Sequence, residues 1–417
     1  MLIRFTVGNF LSFKDKCSLV MEAEKYDLKL TESIFLSHGK KIKKSVVIYG
    51  SNASGKTNLI KAVAFFRNFV IKGSIQSNIQ SGIPDFGPIP FLLNTETESK
   101  PSYFEVEMKI NSKIFVYGFE ASSQKIYKEW LYQYPNKKVL FERNLNNIKS
   151  NSRYFKEGLI KGDGPRENVL FLSALAGLSG LISNEVIGAI RKIHTVMSVD
   201  KEGLLNYTFT KYTRDENYKK RIKDLFLQAD LNIEDIVSEE KQLNRDDIPP
   251  QILNRMSDKK NIYERSLLTL HKKFNEKGQS AGNTTFNFFE ESEGTQQMFI
   301  ISGAIVNCLE EGSILILDEL DSSLHPLMCR YLLKIFNSSK YNSKNAQLIF
   351  TTHDVSLLDE DLLRRDQVWF TQKSDKGSSD LFSLASLGER SNLNFAKRYL
   401  EGRYGAIPYI KALEEIR

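Results

Sequence analysis

The stretch Gly50-Ser51-Asn52-Ala53-Ser54-Gly55-Lys56-Thr57 decides the fold of this chain. It matches the pattern G-x-x-x-x-G-K-[ST], in which backbone N–H groups wrap phosphate oxygens, a lysine reaches the terminal phosphates and a hydroxyl ligates Mg²⁺. The β-branched and aromatic run 46–49 before it predicts a strand, and residues 58–63 after it have helical spacing. A phosphate held here would meet the N-terminus of a helix. The stretch therefore predicts a nucleotide site in an α/β domain.

A second apolar run, Ile314-Leu315-Ile316-Leu317, ends in the acidic pair Asp318 and Glu319. Uninterrupted apolar runs of this length are typical of strands buried in a parallel sheet, and the C-terminal ends of such strands face ligands. We expect Asp318 to hold Mg²⁺ through water and Glu319 to orient and deprotonate an attacking water molecule. An acidic pair can also simply close a strand, but its combination with a phosphate loop favours the catalytic interpretation.

Two more segments flank the acidic pair. Ser292-Glu293-Gly294-Thr295 lies 26 residues before Asp318 and precedes residues 296–309, whose spacing predicts a helix. His353 lies 35 residues beyond Asp318, after the apolar run 348–350 and two threonines. Because that run predicts another strand of the same sheet, we expect His353 at the same edge, facing the terminal phosphate. A lone histidine, or a serine and a glycine two apart, is a weak signal, and the order of the segments gives them weight.

In this order, the four segments resemble the motifs of ABC-type ATPases. The resemblance implies that Ser292 and Gly294 bind the γ-phosphate of ATP held by the opposite subunit, and that His353 is a switch histidine. It also implies that residues 320–326 form the loop that crosses the dimer interface, in which His325 belongs to the turn rather than to catalysis. ATP and Mg²⁺ are the predicted cofactors. The predicted catalytic residues are Lys56, Glu319 and His353, the metal ligands are Thr57 and Asp318, and the ATP contacts are Gly50, Ser51, Asn52, Ala53, Ser54, Gly55, Lys56, Thr57, Asn58, Ser292, Gly294 and Asp321.

The composition is that of an ordinary globular protein with room for a large core. Of the 417 residues, 41% are hydrophobic, which predicts two or three domain-sized units. Three cysteines are too few for a disulfide framework, and no apolar run approaches the roughly 20 residues that span a bilayer. We therefore expect a cytoplasmic protein without a membrane partner. The net charge of +7 leaves two interpretations open, a nucleic-acid surface or lysine-rich faces that keep the protein soluble.

The pattern of hydrophobic residues changes along the chain. Alternating runs at 102–108 and 114–119 predict a β-hairpin, whereas the region after about residue 165 changes to helical spacing. The fold class is predicted to be α/β, an ABC-type ATPase head with an antiparallel β subdomain and a mainly helical insertion. The predicted parts are residues 1–164, the ATPase domain with its phosphate loop and β subdomain; 165–260, the helical insertion; 261–390, the ATPase domain with the signature, the acidic pair and the histidine; and 391–417, a C-terminal tail.

Several segments outside these motifs resemble a narrower family, the stand-alone ABC/SMC-like AAA family ATPases of bacterial antiphage defence and abortive infection, which includes the ATPase component of PARIS. The resemblance implies a homodimer or higher oligomer that senses phage and controls a separately encoded effector, a nuclease or toxin. It leaves open nucleic acid or a phage protein as a further partner. The predicted function is an ATP-binding and ATP-hydrolysing switch with composite sites between subunits. The resembling segments are 7–13, 129–132, 140–143, 171–175, 229–236 and 399–408.

Three residues depart from the family patterns. Glu291 and Glu293 stand where transporters carry leucine and glycine, which predicts a weaker or differently tuned contact with the γ-phosphate. Leu11 stands where SMC-like proteins carry a basic residue. For the glutamine of the Q-loop, Gln76 and Gln80 are equal candidates.

Other functions fit the same motifs. A DNA-clamping ATPase of the SMC or recombination type would bind rather than regulate, and the short insertion argues against long coiled-coil arms but not against DNA. The ATPase subunit of an OLD-like nuclease would add a TOPRIM domain, for which the stretch after His353 is short. A transporter subunit fits worst, because the separation of Thr57 from Ser292 far exceeds the transporter spacing.

Overall fold

The computed structural model describes residues 1–25, 29–37, 39–73, 87–159, 164–197, 201–228, 233–243, 262–388 and 393–407. The two candidate glutamines of the Q-loop, Gln76 and Gln80, lie outside the described residues, as do parts of the predicted insertion and tail. The chain divides into two compact units. The first consists of Met1–Val199, Cys308–Ser322 and Cys329–Arg417, and the second of Asp200–Asn307 and Ser323–Met328.

Most strands lie in two large sheets of the first unit. In chain order, the strands of the described residues are β1 Leu2–Gly8, β2 Cys17–Val20, β3 Ile34–Ser37, β4 Lys40–Lys43, β5 Ser45–Tyr49, β6 Ser102–Ile110, β7 Lys113–Ala121, β8 Ile126–Tyr134, β9 Lys138–Asn144, β10 Asn147–Ser150, β11 Ile193–Val196, β12 Asp235–Leu243, β13 Ile262–Phe274, β14 Ser280–Asn287, β15 Ile314–Leu317, β16 Gln347–Thr351, β17 Val368–Lys373 and β18 Ser379–Ser383.

The six-stranded sheet has the order β11-β15-β16-β5-β17-β18, in which only the edge strand β18 is antiparallel to its neighbour. Strands β5, β15 and β16 are buried along their whole length, as predicted from their apolar runs. The register aligns Leu317 with Phe350, Phe350 with Val47, and Tyr49 with Phe370. The segments that follow β5, β15, β16 and β17 therefore leave the sheet at one edge, where ligands of α/β sheets bind.

The seven-stranded sheet is antiparallel, with the order β10-β9-β8-β7-β6-β1-β2. It contains the predicted hairpin, β6 and β7, whose residues Ser102 to Ile110 pair with Ala121 to Lys113. Strand β6 alternates buried and half-buried residues, because one face of the sheet packs on the core. Phe5 and Phe119 from this face contact Phe66 of the helix that follows the phosphate loop, with ring centroids 5.7 Å apart in both pairs. This packing fixes the helix between the two sheets.

The helices of the described residues follow the predicted positions around the motifs. They are α1 Lys56–Lys72, α2 Phe171–Gly177, α3 Leu181–Arg191, α4 Lys201–Arg214, α5 Glu216–Gln228, α6 Glu293–Glu311, α7 Pro326–Asn337 and α8 Phe395–Leu400. No single helix of the described ranges is long and apolar enough to cross a membrane, although α2 and α3, bent by 108°, together meet that criterion of length and composition. Both helices bury apolar side chains in the core of the first unit.

The second unit combines α4, α5 and part of α6 with a three-stranded antiparallel sheet of order β12-β13-β14. The helices are joined closely, because Thr208 Oγ1 donates to the carbonyl of Ile300 (2.9 Å) and Tyr218 Oη donates to the carbonyl of Gly303 (2.8 Å). Strands β13 and β14 pair around a loop that contains Gly278, which has a left-handed φ of 73°. The predicted insertion, 165–260, thus contains helices α2 to α5 and also the strands β11 and β12, and its helices α2 and α3 belong to the first unit.

The fold class predicted from the sequence, an α/β ATPase head of the ABC type with an antiparallel β subdomain, is confirmed by this arrangement.

Candidate functional site

The phosphate loop connects strand β5 to helix α1. Gly50 and Gly55 are needed for close approach: a Cβ atom at Gly50 would lie 2.5 Å from both Ser54 Oγ and Thr371 O, and one at Gly55 would lie 2.8 Å from Ser379 Cβ. Gly55 also adopts a left-handed φ of 118°, and Ala53 between them has φ 62°. The loop therefore bends tightly just before the N-terminus of α1, as a phosphate-binding loop requires.

Lys56, the first residue of α1, directs its ammonium group into this loop. Its Nζ donates to the carbonyl oxygens of Gly50 (2.8 Å) and Ser51 (3.1 Å), and the side chain is only 6% exposed. Burial lowers the pKa of Lys56, while the nearby charges of Glu319, Asp318 and Asp321 oppose that shift. A buried cation facing carboxylates is well placed to bind phosphate oxygens, since an anion would offset its desolvation.

Thr351, at the end of β16, holds the acidic pair. Its hydroxyl donates to Asp318 Oδ1 (2.8 Å) and accepts from the backbone N–H of Glu319 (2.7 Å). The N–H of Leu320 also bonds to the carbonyl of Thr351 (3.0 Å). These contacts hold Glu319 at φ 51°, a left-handed conformation that is uncommon for a residue with a side chain. Such backbone strain is often found at functional sites, where the surrounding structure compensates for it.

His353 leaves the same edge of the sheet two residues later. Its backbone N–H donates to Asp321 Oδ2 (3.0 Å), so the loop after the acidic pair contacts the turn that carries the histidine. Asp321 Oδ1 is buried and has no hydrogen-bond partner within the described parts of the chain. Burial and the charge of Lys56 lower the pKa of His353, although the carboxylates of Asp321, Glu319 and Asp318 act in the opposite direction. The imidazole is therefore mainly neutral at neutral pH.

Five residues from three separate segments thus meet at one edge of the sheet. Lys56 interacts electrostatically with Glu319, Asp318 and Asp321, and His353 interacts with all four. The segments are up to 297 residues apart in the sequence, from Lys56 to His353, and the parallel register of β5, β16 and β15 brings them together. Ser292 and Gly294 belong to the second unit.

Three hydroxyl residues that the sequence did not single out support the phosphate loop. Thr371 Oγ1 shares a hydrogen bond with Ser54 Oγ (2.7 Å), and the Ser379 hydroxyl donates to the carbonyl of Ser54 (2.6 Å). Ser12 Oγ accepts from Asn58 Nδ2 (2.8 Å) and lies 2.8 Å from Ser379 Oγ. Asn58, predicted as an ATP contact, is therefore bound to the N-terminal loop. The signal that could have identified Thr371 is its position just after the apolar run 368–370, at the same edge of the sheet.

The residues present fit a magnesium nucleotide. The tight bend at Gly50 and Gly55, together with the buried ammonium group of Lys56 beside it, suits phosphate oxygens. Mg²⁺ takes oxygen ligands and is usually held by one or two protein groups together with phosphates and water. Thr57 in the first turn of α1 and Asp318, oriented by Thr351, are the groups that would hold it.

In the second unit, Ser292 forms the N-cap of helix α6. Its hydroxyl accepts from the N–H of Thr295 (3.1 Å), and its carbonyl accepts from the N–H of Gln296 (3.0 Å). Gly294 lies against the carbonyl of Ser323, because a Cβ atom here would be 3.0 Å from that oxygen. The first turn of α6 therefore carries the free N–H groups and positive end of a helix dipole, which attract anions.

Residues 45–359 match the model of the protein family described as "AAA domain, putative AbiEii toxin, Type IV TA system". The chain belongs to this family. The match begins at the strand before the phosphate loop and extends beyond His353, so it includes every site residue predicted above. No curated protein matches the chain.

Solved structures similar to this chain include SMC head domains and the recombination mediator protein RecF. The SMC head domain from Thermotoga maritima is 14% identical, with a TM-score of 0.41 over 92% of this chain and 98% of that one. An Smc head bound to the C-terminal winged-helix domain of ScpA is 13% identical, with a TM-score of 0.43 over 93% of this chain and 99% of that one. The recombination mediator RecF bound to ATP is 15% identical, with a TM-score of 0.32 over 91% of this chain and 97% of that one.

Proposed function

We propose that this chain binds ATP with Mg²⁺ and hydrolyses it at the edge of the six-stranded sheet. The observation that carries the proposal is the convergence of the buried Lys56 ammonium, the acidic pair held by Thr351, and a His353 ring whose pKa is lowered. Phosphoryl transfer requires positive charge around the phosphates and a group that orients the attacking water, and these residues supply both. Membership of an AAA family supports the same activity.

Each residue has a defined role in the proposed reaction. The loop N–H groups and Lys56 bind the phosphate oxygens. Glu319 accepts a proton from the water whose oxygen attacks the γ-phosphorus, while the bond to the β-phosphate oxygen breaks and releases ADP. The neutral ring of His353 donates a hydrogen bond to the terminal phosphate. Thr57 and Asp318 would hold Mg²⁺, which when bound would offset negative charge on the phosphate oxygens.

The site is proposed to be completed by a second copy of the chain. The first turn of α6, with the Ser292 hydroxyl and the close-packed Gly294, provides an anion-binding helix N-terminus that is suited to the γ-phosphate of a partner. ATP would then act as the link between subunits, and its hydrolysis would release them. The same arrangement extends to higher oligomers.

The biological role that we propose is a cytoplasmic switch in bacterial antiphage defence that controls a separately encoded effector. The support is the description of the family, which names an abortive-infection toxin and a toxin–antitoxin system, together with the resemblance of segments such as 129–132 and 171–175 to defence ATPases. In this role, ATP changes the state of the complex only because it binds one conformation more tightly than the other.

The catalytic assignment is tested by comparing two variants. Lys56→Ala is expected to abolish ATP binding, whereas Glu319→Gln is expected to retain binding and lose about 10²- to 10⁴-fold in the rate of hydrolysis, because only the proton acceptor is removed. Binding is measured with a fluorescent ATP analogue and hydrolysis by phosphate release. A Glu319→Gln protein that hydrolyses ATP at the wild-type rate would contradict the assignment.

The DNA-clamping alternative is distinguished by a separate measurement. A clamp predicts that double-stranded DNA binds the ATP-loaded Glu319→Gln protein and that affinity falls steeply as salt is raised, because counterions are released from the phosphates. A defence switch without DNA predicts no such binding. Fluorescence anisotropy with a labelled duplex at several salt concentrations decides between the two.

A further inference from the structure

Glu291, the residue directly before the N-cap Ser292, is bound to strand β13 of the second unit. Its Oε1 contacts His271 Nε2 (2.7 Å) and the hydroxyl of Thr269, and the latter two groups lie 3.2 Å from each other. Thr269 and His271 are alternate residues of β13, so they point to the same face of the three-stranded sheet. Thr269 is fully buried, and the side chains of Glu291 and His271 are only 13% and 18% exposed.

The rest of the turn before α6 is also fixed by specific contacts. Gln296 Nε2 donates to the carbonyl of Glu291 (2.9 Å), which ties the turn to the helix that follows. On the other side of Ser292, Ser323 Oγ lies 3.4 Å from Glu293 Oε2, and the Ser323 carbonyl closely approaches Gly294. The two glutamates that flank Ser292 therefore both have protein partners, and neither is an unpaired charge beside the helix N-terminus.

A glutamate at this point would be unfavourable without those partners. An unpaired carboxylate beside a site for polyphosphate would repel the ligand electrostatically. The contacts with Thr269 and His271 hold the carboxylate against β13 and at the same time fix the backbone that enters α6. Anion binding by a helix N-terminus depends on the direction of its N–H groups, so a fixed entry to the helix matters for function.

We propose that Thr269 and His271 hold Glu291 as a positioning cluster for the first turn of α6, and that this cluster acts on the ATP bound by the partner subunit and not on the ATP of its own subunit. This inference rests on the proposed composite site and adds the residues that set its geometry. The cluster does not touch the nucleotide. It orients the Ser292 hydroxyl and the N–H groups after it.

The direction of the effect provides the test. A Lys56→Ala subunit and a Ser292→Arg subunit are mixed, and each heterodimer then contains one competent site. The Ser292→Arg subunit supplies the phosphate loop of that site, and the Lys56→Ala subunit supplies the helix N-terminus. Glu291→Ala is added to one or the other subunit, and phosphate release is measured after heterodimers are verified by size-exclusion chromatography. A misplacement of about 1 Å can cost about 100-fold in rate.

Glu291→Ala in the Lys56→Ala subunit is expected to reduce the rate of the mixture by about 10- to 100-fold, mainly through kcat. The same change in the Ser292→Arg subunit is expected to have no effect, because its own helix N-terminus is already inactive. Thr269→Val should behave like Glu291→Ala. Glu291→Gln, which retains an acceptor for the threonine and histidine, should restore most of the rate. Thr285→Val on the exposed face of the neighbouring strand β14 is the matched control and should leave the rate unchanged in either subunit.

If Glu291→Ala lowers the rate of phosphate release equally in either subunit, the inference is overturned. A general folding defect would have this effect, since it does not depend on which site is competent. No loss from either placement would overturn it as well. A parental mixture that shows no hydrolysis, despite verified heterodimers, would instead overturn the composite site and the inference together. The melting temperature of each variant, measured alone, checks that its fold is retained.

Discussion

At the scale of single residues, Thr351 connects the acidic pair to the strand that carries His353. Its hydroxyl bonds to both Asp318 and the N–H of Glu319 and is fully buried. We expect Thr351→Val to retain ATP binding and to lower kcat by about 10- to 100-fold, as is typical when a group that orients a metal ligand is removed. Steady-state phosphate release, with the affinity for ATP measured in parallel, tests this expectation.

Thr352→Val is the matched control for this prediction. Thr352 is the next residue and equally buried, but its hydroxyl accepts from the N–H of Asp354 (2.9 Å). It should change kcat far less than Thr351→Val. If both variants lose the same activity, the effect of Thr351 comes from the fold of the turn and not from the acidic pair.

Lys43, at the end of β4, is a buried cation that belongs to none of the nucleotide motifs. It is 1% exposed and donates to the carbonyl of Asp366 (2.6 Å), which also accepts from Trp369 Nε1. Burial lowers the pKa of Lys43 from 10.5 to about 8. Between these two pH values the unfolded chain binds a proton that the folded protein has lost. The free energy of unfolding should therefore rise with pH across this window, by about 3 kcal/mol in total from this group.

Lys43→Met should remove this rise. The carbonyl of Asp366 keeps Trp369 as a donor, and the Asp366 carboxylate keeps its two bonds to Arg364 (3.0 Å each), so the substitution leaves both groups paired. We expect the variant to be at least as stable as the wild type near neutral pH and to show a flatter dependence between pH 8 and 10.5. Urea denaturation midpoints of both proteins at several pH values test this, and parallel curves would show that Lys43 is not the titrating group.

Residue chemistry explains which site residues the sequence could predict. The sequence predicts Lys56, Asp318 and Glu319 as site residues because phosphate binding and water activation each demand one residue type at a fixed distance from a strand. The sequence shows Thr351 only as a neighbour of the histidine and Ser12 only as part of the resembling segment 7–13, and no pattern indicates Ser379. Serine and threonine are common, and these hydroxyls reach the site only through the register of β16 and the position of β18.

At the scale of secondary-structure elements, three segments that resembled the defence ATPases converge on one buried carboxylate. Glu129 of β8 accepts from the N–H groups of Phe171 (2.7 Å) and Leu172 (2.9 Å) at the N-terminus of α2, and from Tyr117 Oη (3.0 Å). Arg143 of β9 lies 3.6 Å from it, and both side chains are fully buried. Burial raises the pKa of Glu129, although the N–H groups and Arg143 favour its charged form. Glu129 therefore joins the antiparallel sheet to helix α2.

Glu129→Ala should destabilise the protein by about 3 to 5 kcal/mol, because it leaves a buried guanidinium and two helix N–H groups without their partner. Glu129→Gln keeps an acceptor for the N–H groups and should lose less. Glu142→Ala on the adjacent strand is the control, since this exposed carboxylate bonds to Tyr132 Oη (2.7 Å) at the surface. Thermal unfolding of the three variants gives their melting temperatures. If Glu129→Ala and Glu142→Ala lower the melting temperature equally, the role assigned to Glu129 is contradicted.

The elements themselves were largely predictable, and their pairings were not. Apolar runs predicted β5, β15 and β16, and alternation predicted the hairpin of β6 and β7. Nothing in periodicity shows that β16 lies between β5 and β15, because parallel strands are joined by long connections that leave no local signal. The contact of Glu129 with Arg143 and α2 is likewise invisible until the sheet order is known.

At the scale of the whole molecule, the C-terminal segment gains a physical role that its sequence did not suggest. Tyr399 of α8 stacks on Phe370 with ring centroids 5.5 Å apart and packs against Tyr49, the residue before the phosphate loop. Tyr49 Oη in turn donates to the carbonyl of Asp354, next to His353. The described part of the tail is thus an aromatic support behind the nucleotide site.

Domain boundaries are the least predictable feature, because helices α2 and α3 follow the helical pattern of the predicted insertion but pack in the first unit.

The proposed defence role makes a prediction for the chain as a whole. Expressed alone in cells, it should cause neither growth arrest nor protection against phage, because the proposed activity is ATP hydrolysis and the toxic step belongs to the effector. Expressed with its genomic neighbour, it should protect, and Lys56→Ala should abolish protection. We expect the effector to bind the exposed side of helices α4 and α5, where Lys220 is exposed.

Lys220→Glu should therefore weaken protection without changing ATP hydrolysis, whereas Lys113→Glu, a charge reversal at an exposed lysine of the other unit, should leave both unchanged. Efficiency of plating and growth curves measure protection and arrest, and co-purification of the tagged effector measures the complex. ATP can shift the complex only if it binds one of two conformations more tightly than the other. The amount of effector retained by the ATP-bound Glu319→Gln protein should therefore differ from the amount retained by the nucleotide-free protein. Protection or growth arrest from the single gene, with no neighbour present, would instead identify this chain as the toxin itself.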